Sequence, residues 1–238
     1  MQISTIGFDA DDTLWHNERF FQLTQAHFAE VMAPHMPQDA AGDHLAERLI
    51  AAERRNISHY GFGVKGFTLS MIETAIEVSE GRVPASVLAE ILAAGREMLT
   101  HPVDLLPHAR ATIEALSGQY RLMLVTKGDL IDQERKLAQS GLGDLFDAVE
   151  IVSDKKPEIY AQAFARHGNG AAHGLMAGNS LKSDVIPMIE AGGWGVHIPH
   201  DLTWALEHAP APSTHPRFAQ LPDLGALPAL IAQIEAQP

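Results

Sequence analysis

The stretch Ile3-Ser4-Thr5-Ile6-Gly7-Phe8-Asp9-Ala10-Asp11-Asp12-Thr13-Leu14-Trp15 runs an apolar segment into three carboxylates within four residues. Ile3 to Phe8 reads as a buried strand. Burying a strand that ends in clustered acids is costly unless a cation compensates them. In an open α/β sheet, ligands bind at the carboxyl ends of the strands. Asp9 and Asp11 are two residues apart and share a face if the chain stays extended. Two readings fit these residues: a divalent-cation site, or an Asp-rich turn with a helix N-cap.

At 238 residues the chain is long enough for one or two domains with a sizeable core. Its formal net charge of −13 argues against a nucleic-acid groove or an anionic membrane surface, both of which call for basic patches. The absence of cysteine excludes disulfides and thiolate catalysis. The start, MQISTIGFDADD, lacks a basic segment followed by a signal-type apolar stretch, and no apolar run approaches membrane-spanning length. The expectation is a soluble, cytoplasmic protein.

From Asn17 to about Thr100 the apolar spacing is helical throughout, with four amphipathic stretches marked by Phe20/Phe28/Met32, Leu45/Leu49/Ala52, Phe67/Met71/Ala75 and Val87/Ile91/Met98. That pattern predicts a small bundle. The segment His59 to Phe67 contains three glycines and reads as a loop carrying Tyr60, Phe62 and Lys65. After His101-Pro102, helices and strands alternate. Strands are predicted at 122–125, 148–152, 174–177 and 194–198, and helices at 107–117, 129–139, from Pro157 to about His167, 181–191 and 224–236. The Pro-rich stretch 199–222 reads as a surface crossover. This alternation implies a parallel sheet with helices on both faces, into which the first strand fits, so the helical segment is an insertion after it.

Polar groups fall at the carboxyl ends of four of these strands: Asp9 and Asp11, Thr126, Lys156, and Asn179 with Asp184. Each suits phosphoryl transfer. A carboxylate can act as nucleophile, and a second can move protons. A hydroxyl and an ammonium can hold phosphoryl oxygens, and further oxygens can hold Mg2+. The thirteen histidines show no HExxH spacing. His197, His200, His208 and His215 form at best a weakly spaced group, and packing is the simpler reading for Trp194 and Val196.

The constellation resembles the haloacid dehalogenase superfamily, most of whose members are phosphatases. Asp9-Ala10-Asp11-Asp12-Thr13 matches its Asp-x-Asp-x-Thr motif, with Asp12 where Gly is commoner. Thr126 matches the Thr or Ser after an apolar strand, and Lys156-Pro157 the Lys-Pro motif. Gly178-Asn179-Ser180-Leu-Lys-Ser-Asp184 matches the fourth motif with an amide in place of its first acid. The resemblance implies a Rossmann-like α/β core, residues 1–15 and 101–238, with a parallel central sheet, and a small α-helical bundle cap over residues 16–100. It further implies a Mg2+-dependent phosphomonoester hydrolase working through an aspartyl phosphate. In that scheme Asp9 is the nucleophile, Asp11 the acid/base, and Thr126 and Lys156 hold the phosphoryl group. Asp9, Asp11, Asn179 and Asp184 form the metal site. Lys127, Lys65 and Tyr60 are expected to bind substrate; Lys65 is the only Lys in the 16–100 segment. The expected partner is a small phosphorylated metabolite, with no nucleic acid and no membrane, the chain being a monomer or homodimer. A dehalogenase of the same fold lacks the second Asp. A phosphomutase uses both acids. A phosphoacceptor signalling domain would not separate Asp11 from Thr126 by more than a hundred residues. Asn179 alone points towards a non-catalytic phosphate-binding descendant.

Overall fold

A computed structural model describes residues 2–36 and 42–236. The chain divides into two compact units: 1–17, 103–127 and 133–238 form one, and 18–102 with 128–132 form the other.

The first unit is built on a parallel six-stranded sheet in the order β3-β2-β1-β4-β5-β6 among the described residues. The strands are β1 (Thr5–Phe8), β2 (Arg121–Lys127), β3 (Ala148–Val152), β4 (Gly174–Gly178), β5 (Trp194–His197) and β6 (Phe218–Gln220). β1 lies between β2 and β4, in register Phe8 with Leu124 and with Ala177. Side chains on an extended strand alternate between faces, and the apolar residues follow that rule. Leu122, Leu124, Leu175 and Ala177 pack with Ile6 and Phe8 against α5 (Ala109–Leu116) and α9 (Leu227–Glu235). Met123, Val125 and Met176 pack on the other face with Tyr160 and Phe164 of α7 (Pro157–His167) and Met188 of α8 (Ile186–Glu190). Burial on both faces explains why these strands read as apolar runs.

The second unit holds α1 (Glu18–Met32), α2 (Gly42–Tyr60), α3 (Val64–Val78) and α4 (Ala85–Met98), around Phe28, Met32, Leu49, Phe67, Met71 and Ile91. The break between α2 and α3 is shorter than the predicted loop: Tyr60 ends one helix and Val64 begins the next. Gly61 and Gly63 turn the chain at φ +74° and +108°, a region that disfavours side chains. Among the described residues no helix is long and apolar enough to cross a membrane.

Two other expectations change. The stretch 199–222, read as a crossover, contains the edge strand β6, three residues long and following a Pro-rich segment, too short to leave a periodic signal. The helix predicted at 181–191 begins as a π turn, Leu181–Val185, before α8. In this turn the Ser180 hydroxyl accepts from the Ser183 amide at 3.0 Å, and Asp184 points back to accept from the Ser180 amide at 3.0 Å. A Cβ at Gly178 would collide with the Asp184 carboxylate, so the turn closes onto β4 only because glycine stands there.

A partly buried polar network braces the same turn. Lys127 at the end of β2 donates to Ser183 Oγ at 2.8 Å and to Glu207 at 2.5 Å, and Glu207 accepts from the Ser180 and Ser183 hydroxyls, each at 2.5 Å. Burial alone would raise the Glu207 pKa, but Lys127 and the two hydroxyls outweigh it and hold the carboxyl below its usual range. The folded pKa lies below the unfolded one, so this stabilisation is present above the unfolded value near 4.5 and is lost as pH falls through the folded value. Glu207→Gln is therefore expected to cost about 1.5–3 kcal/mol near pH 7, with the gap to wild type narrowing in acid. Urea unfolding followed by tryptophan fluorescence checks this, because Trp15, Trp194 and Trp204 all lie in the α/β unit. A gap independent of pH would contradict the assignment.

Candidate functional site

The parallel sheet brings the carboxyl ends of β1 to β4 to one edge, and the polar residues predicted there converge unevenly. Asp9 follows β1 directly, its amide bonded to the Ala177 carbonyl at 2.9 Å. Its carboxylate is buried, with Oδ2 accepting from Thr13 Oγ1 at 3.0 Å. Thr13 Oγ1 also accepts from the Asn179 amide at 3.0 Å and lies 3.3 Å from Asn179 Oδ1. The two motif loops are thus stitched through one hydroxyl.

The cation at the centre is Lys155, not the predicted Lys156. Lys155 Nζ donates to Asp9 Oδ1 and, at 2.6 Å, to Asp184 Oδ1, with its side chain 2% exposed. The Lys156 side chain is 63% exposed and pairs with Asp154 at 3.3 Å. The physical reason is backbone alternation. Lys156 caps α7 with extended dihedrals of −126° and 161°, so neighbouring side chains point to opposite sides and only one of the two lysines can enter. Tyr160, one turn into α7, adds a hydroxyl that donates to the Ser183 carbonyl at 3.0 Å and lies 3.4 Å from Asp184 Oδ1.

These groups perturb one another strongly. Burial, then Asp184, push Asp9 up to about 7 although Lys155 opposes them. Burial alone would lower the Lys155 pKa, but the carboxylates of Asp184 and Asp9 outweigh it and raise it. The Tyr160 phenol is raised by burial and by the same two carboxylates. Two buried carboxylates sharing one ammonium leave an excess of negative charge.

Asp11 is held apart from this centre by three donors. Oδ1 accepts from Trp15 Nε1 at 2.7 Å and Lys136 Nζ at 2.6 Å, and Oδ2 from Gln133 Nε2 at 2.9 Å and Lys136 Nζ at 2.9 Å. Gln133 Nε2 also reaches Thr126 Oγ1 at 2.8 Å and the Lys127 carbonyl at 2.9 Å, coupling Asp11 to the end of β2. Gln133 and Lys136 went unrecognised in the sequence, yet they are three apart on α6 (Leu130–Ser140) and so share a face, which is the signal that would have found them. Thr13 lies inside the first motif, and Lys155 is adjacent to Lys156 of the Lys-Pro motif.

The remaining predicted residues stand elsewhere. The Lys127 ammonium is committed to Glu207 and Ser183. Lys65, its side chain 54% exposed, pairs with Asp129 at 3.2 Å, and Tyr60 donates its hydroxyl to Glu73 at 2.8 Å, all within the helical unit.

Comparison with known proteins places the chain in a family. Residues 3–192 match the family model for haloacid dehalogenase-like hydrolases. A crystal structure of a haloacid dehalogenase-like family hydrolase from Xanthomonas campestris is 38% identical, covering 99% of this chain and 93% of that one with a TM-score of 0.86. A glyceraldehyde 3-phosphate phosphatase from Methanothermobacter thermautotrophicus is 26% identical over 211 residues, 85% of this chain and 88% of that protein. A pyrimidine 5'-nucleotidase from Escherichia coli is 24% identical over 198 residues, 81% of this chain and 84% of that protein. With its sheet, its buried Asp9–Lys155–Asp184 centre and a family match over most of its length, the chain belongs to the haloacid dehalogenase-like hydrolases.

Proposed function

We propose that this hydrolase cleaves a small phosphorylated metabolite as a Mg2+-dependent phosphomonoesterase, with Asp9 as nucleophile. The observation that carries the reading is the sharing of one buried ammonium, Lys155, by Asp9 and Asp184 at the sheet edge. The names of two relatives, a phosphatase and a nucleotidase, support the same class of substrate.

The donor set fits Mg2+. Asp9, Asp184 and Asn179 offer side-chain oxygens, to which the Asp11 backbone carbonyl can be added, and all are hard donors of the kind this ion prefers. The raised pKa of Asp9, caused by burial and Asp184, marks negative charge that a single ammonium leaves uncompensated. When bound, Mg2+ supplies charge neutralisation at the phosphoryl oxygens. Asn179 in place of a carboxylate lowers the negative charge of that donor set by one.

The residues then divide the work. An Asp9 oxygen attacks phosphorus as the P–O ester bond breaks, giving an aspartyl phosphate, and Asp11 gives its proton to the departing alkoxide. Asp11 next takes a proton from water, whose oxygen attacks phosphorus, releasing phosphate and restoring the Asp9 carboxylate. Lys155 and Thr126 hold phosphoryl oxygens. In the acid half Asp11 needs a proton, so it must leave the Lys136 ammonium that contacts both its oxygens. Retention of Asp11 favours phosphate esters over carbon–halogen bonds, since an alkoxide needs a proton and a halide does not.

Asp9→Asn is expected to lower p-nitrophenyl phosphate turnover with Mg2+ by about 10⁴-fold or more while circular dichroism stays native. Near wild-type activity in that variant would sink the mechanism. Lys155→Met is expected to reduce kcat by roughly 10²–10³-fold and to lower Tm, because it strips two buried carboxylates of their cation. Lys156→Met should stay within about twofold of wild type, as an exposed pair contributes little. The opposite ranking would return the role to Lys156. Asp11→Asn should slow alkyl phosphates far more than aryl phosphates, whose phenolate leaves without protonation. Equal losses on both ester types would remove Asp11 from the acid role.

A further inference from the structure

Away from the all-oxygen centre, the described residues contain one group of three metal-ligating side chains whose donor atoms converge. Asp12, His16 and His200 each offer one atom, and these lie within 4.8 Å of one another. The group is not the histidine set that spacing alone picked out: His200 takes part, but its partners come from the loop after β1, nearly two hundred residues earlier in the sequence. We propose that Asp12, His16 and His200 form a second metal site, which takes a divalent first-row transition-metal ion of the Zn2+ type.

Four observations on the α/β unit carry this. Asp12 is buried at 6% exposure, so its carboxylate is screened from bulk water. His200 Nε2 stands 3.7 Å from Asp12 Oδ1, too far for a direct hydrogen bond. Two ligands about 2.1 Å from one tetrahedral ion stand about 3.4 Å apart, so a small side-chain rotation closes both onto a common ion. His200 is also oriented as a ligand should be. Its Nδ1 lies 2.9 Å from the Leu202 carbonyl and 3.3 Å from the Leu202 amide. Both contacts hold Nδ1 against the Leu202 backbone and turn Nε2 towards Asp12. The His16 ring meets the His200 ring edge to face, with centroids 5.8 Å apart and planes at 66°, so the two imidazoles are close without stacking.

The loop is set to present the carboxylate. Asp12 sits at φ +60°, where side chains are disfavoured although Asp tolerates it better than most. Its amide donates to the Trp15 carbonyl at 2.7 Å, and its Oδ1 accepts from the Asn17 amide at 2.8 Å. The turn from Asp12 to Asn17 is closed on itself, with Asp12 and His16 brought to one side. Two imidazoles and one carboxylate suit Zn2+, Co2+ or Ni2+ and not Mg2+, which prefers oxygen alone. Three protein ligands leave a position for water. An ion here would tie the loop that carries Asp9 and Asp11 to the chain leaving β5.

The test is calorimetric titration of the full chain with Zn2+ in excess Mg2+, which keeps the oxygen-donor centre occupied. Wild type is expected to bind one equivalent of Zn2+. His16→Gln and His200→Gln should each weaken binding by about tenfold or more, whereas Asp184→Asn should retain it. Should either histidine variant misfold, Co2+ added to wild type replaces that arm, with two imidazoles expected to show paramagnetic shifts in 15N NMR at one equivalent. Absence of Zn2+ binding in Mg2+, binding that both histidine variants retain, or Co2+ that shifts no imidazole would overturn the site.

Discussion

The ammonium of Lys155, buried between Asp9 and Asp184, is the interaction on which the rest of the α/β unit depends. Two carboxylates cannot be carried into the end of a parallel sheet without a cation, and removing the cation from such a group is far more damaging than never having built it. Three elements meet to satisfy this constraint: the exit of β1 brings Asp9, the residue before the α7 cap brings Lys155, and the π turn after β4 brings Asp184. Even so, Asp9 is pushed up to about 7 by burial and Asp184, so the lysine alone leaves the charge unbalanced. That imbalance is the physical basis for proposing Mg2+ beside it.

The surrounding packing serves the same constraint. Gly178 has no side chain because the Asp184 carboxylate occupies the space. Tyr160 fills the other side while its hydroxyl bonds the Ser183 carbonyl. Glu207, held ionised by Lys127 and two serines against its own burial, fixes the turn from outside. Asp11 is kept away from Asp9's lysine by a lysine of its own, Lys136, with Gln133 linking it to Thr126. The proposed nucleophile and the proposed proton carrier therefore differ in surroundings although they stand two residues apart.

Much of this was legible from residue patterns, and the failures have particular causes. Strands buried on both faces leave apolar runs, so β1 to β5 were placed within a few residues, and the acid cluster after β1 announced the site. β6 leaves no such trace, being a three-residue edge strand after a Pro-rich stretch. Lys155 and Lys156 are not distinguished by sequence, because adjacent lysines in extended backbone point opposite ways and nothing in the motif says which one faces inward. Gln133 and Lys136 read as ordinary helix polar residues until the helix is laid against Asp11. The approach of His200 to Asp12 and His16 depends on strand order, which spacing along the chain cannot reveal.

The most direct measurement is to quench the enzyme in acid during turnover of a phosphate ester with Mg2+ and to map the phosphorylated peptide by mass spectrometry. The account predicts a hydroxylamine-labile phosphate on Asp9, carried by the Lys155-paired carboxylate and absent in Asp9→Asn. Phosphate on another residue, or turnover with no phosphorylated enzyme even in rapid-quench samples taken before the first turnover is complete, would contradict it.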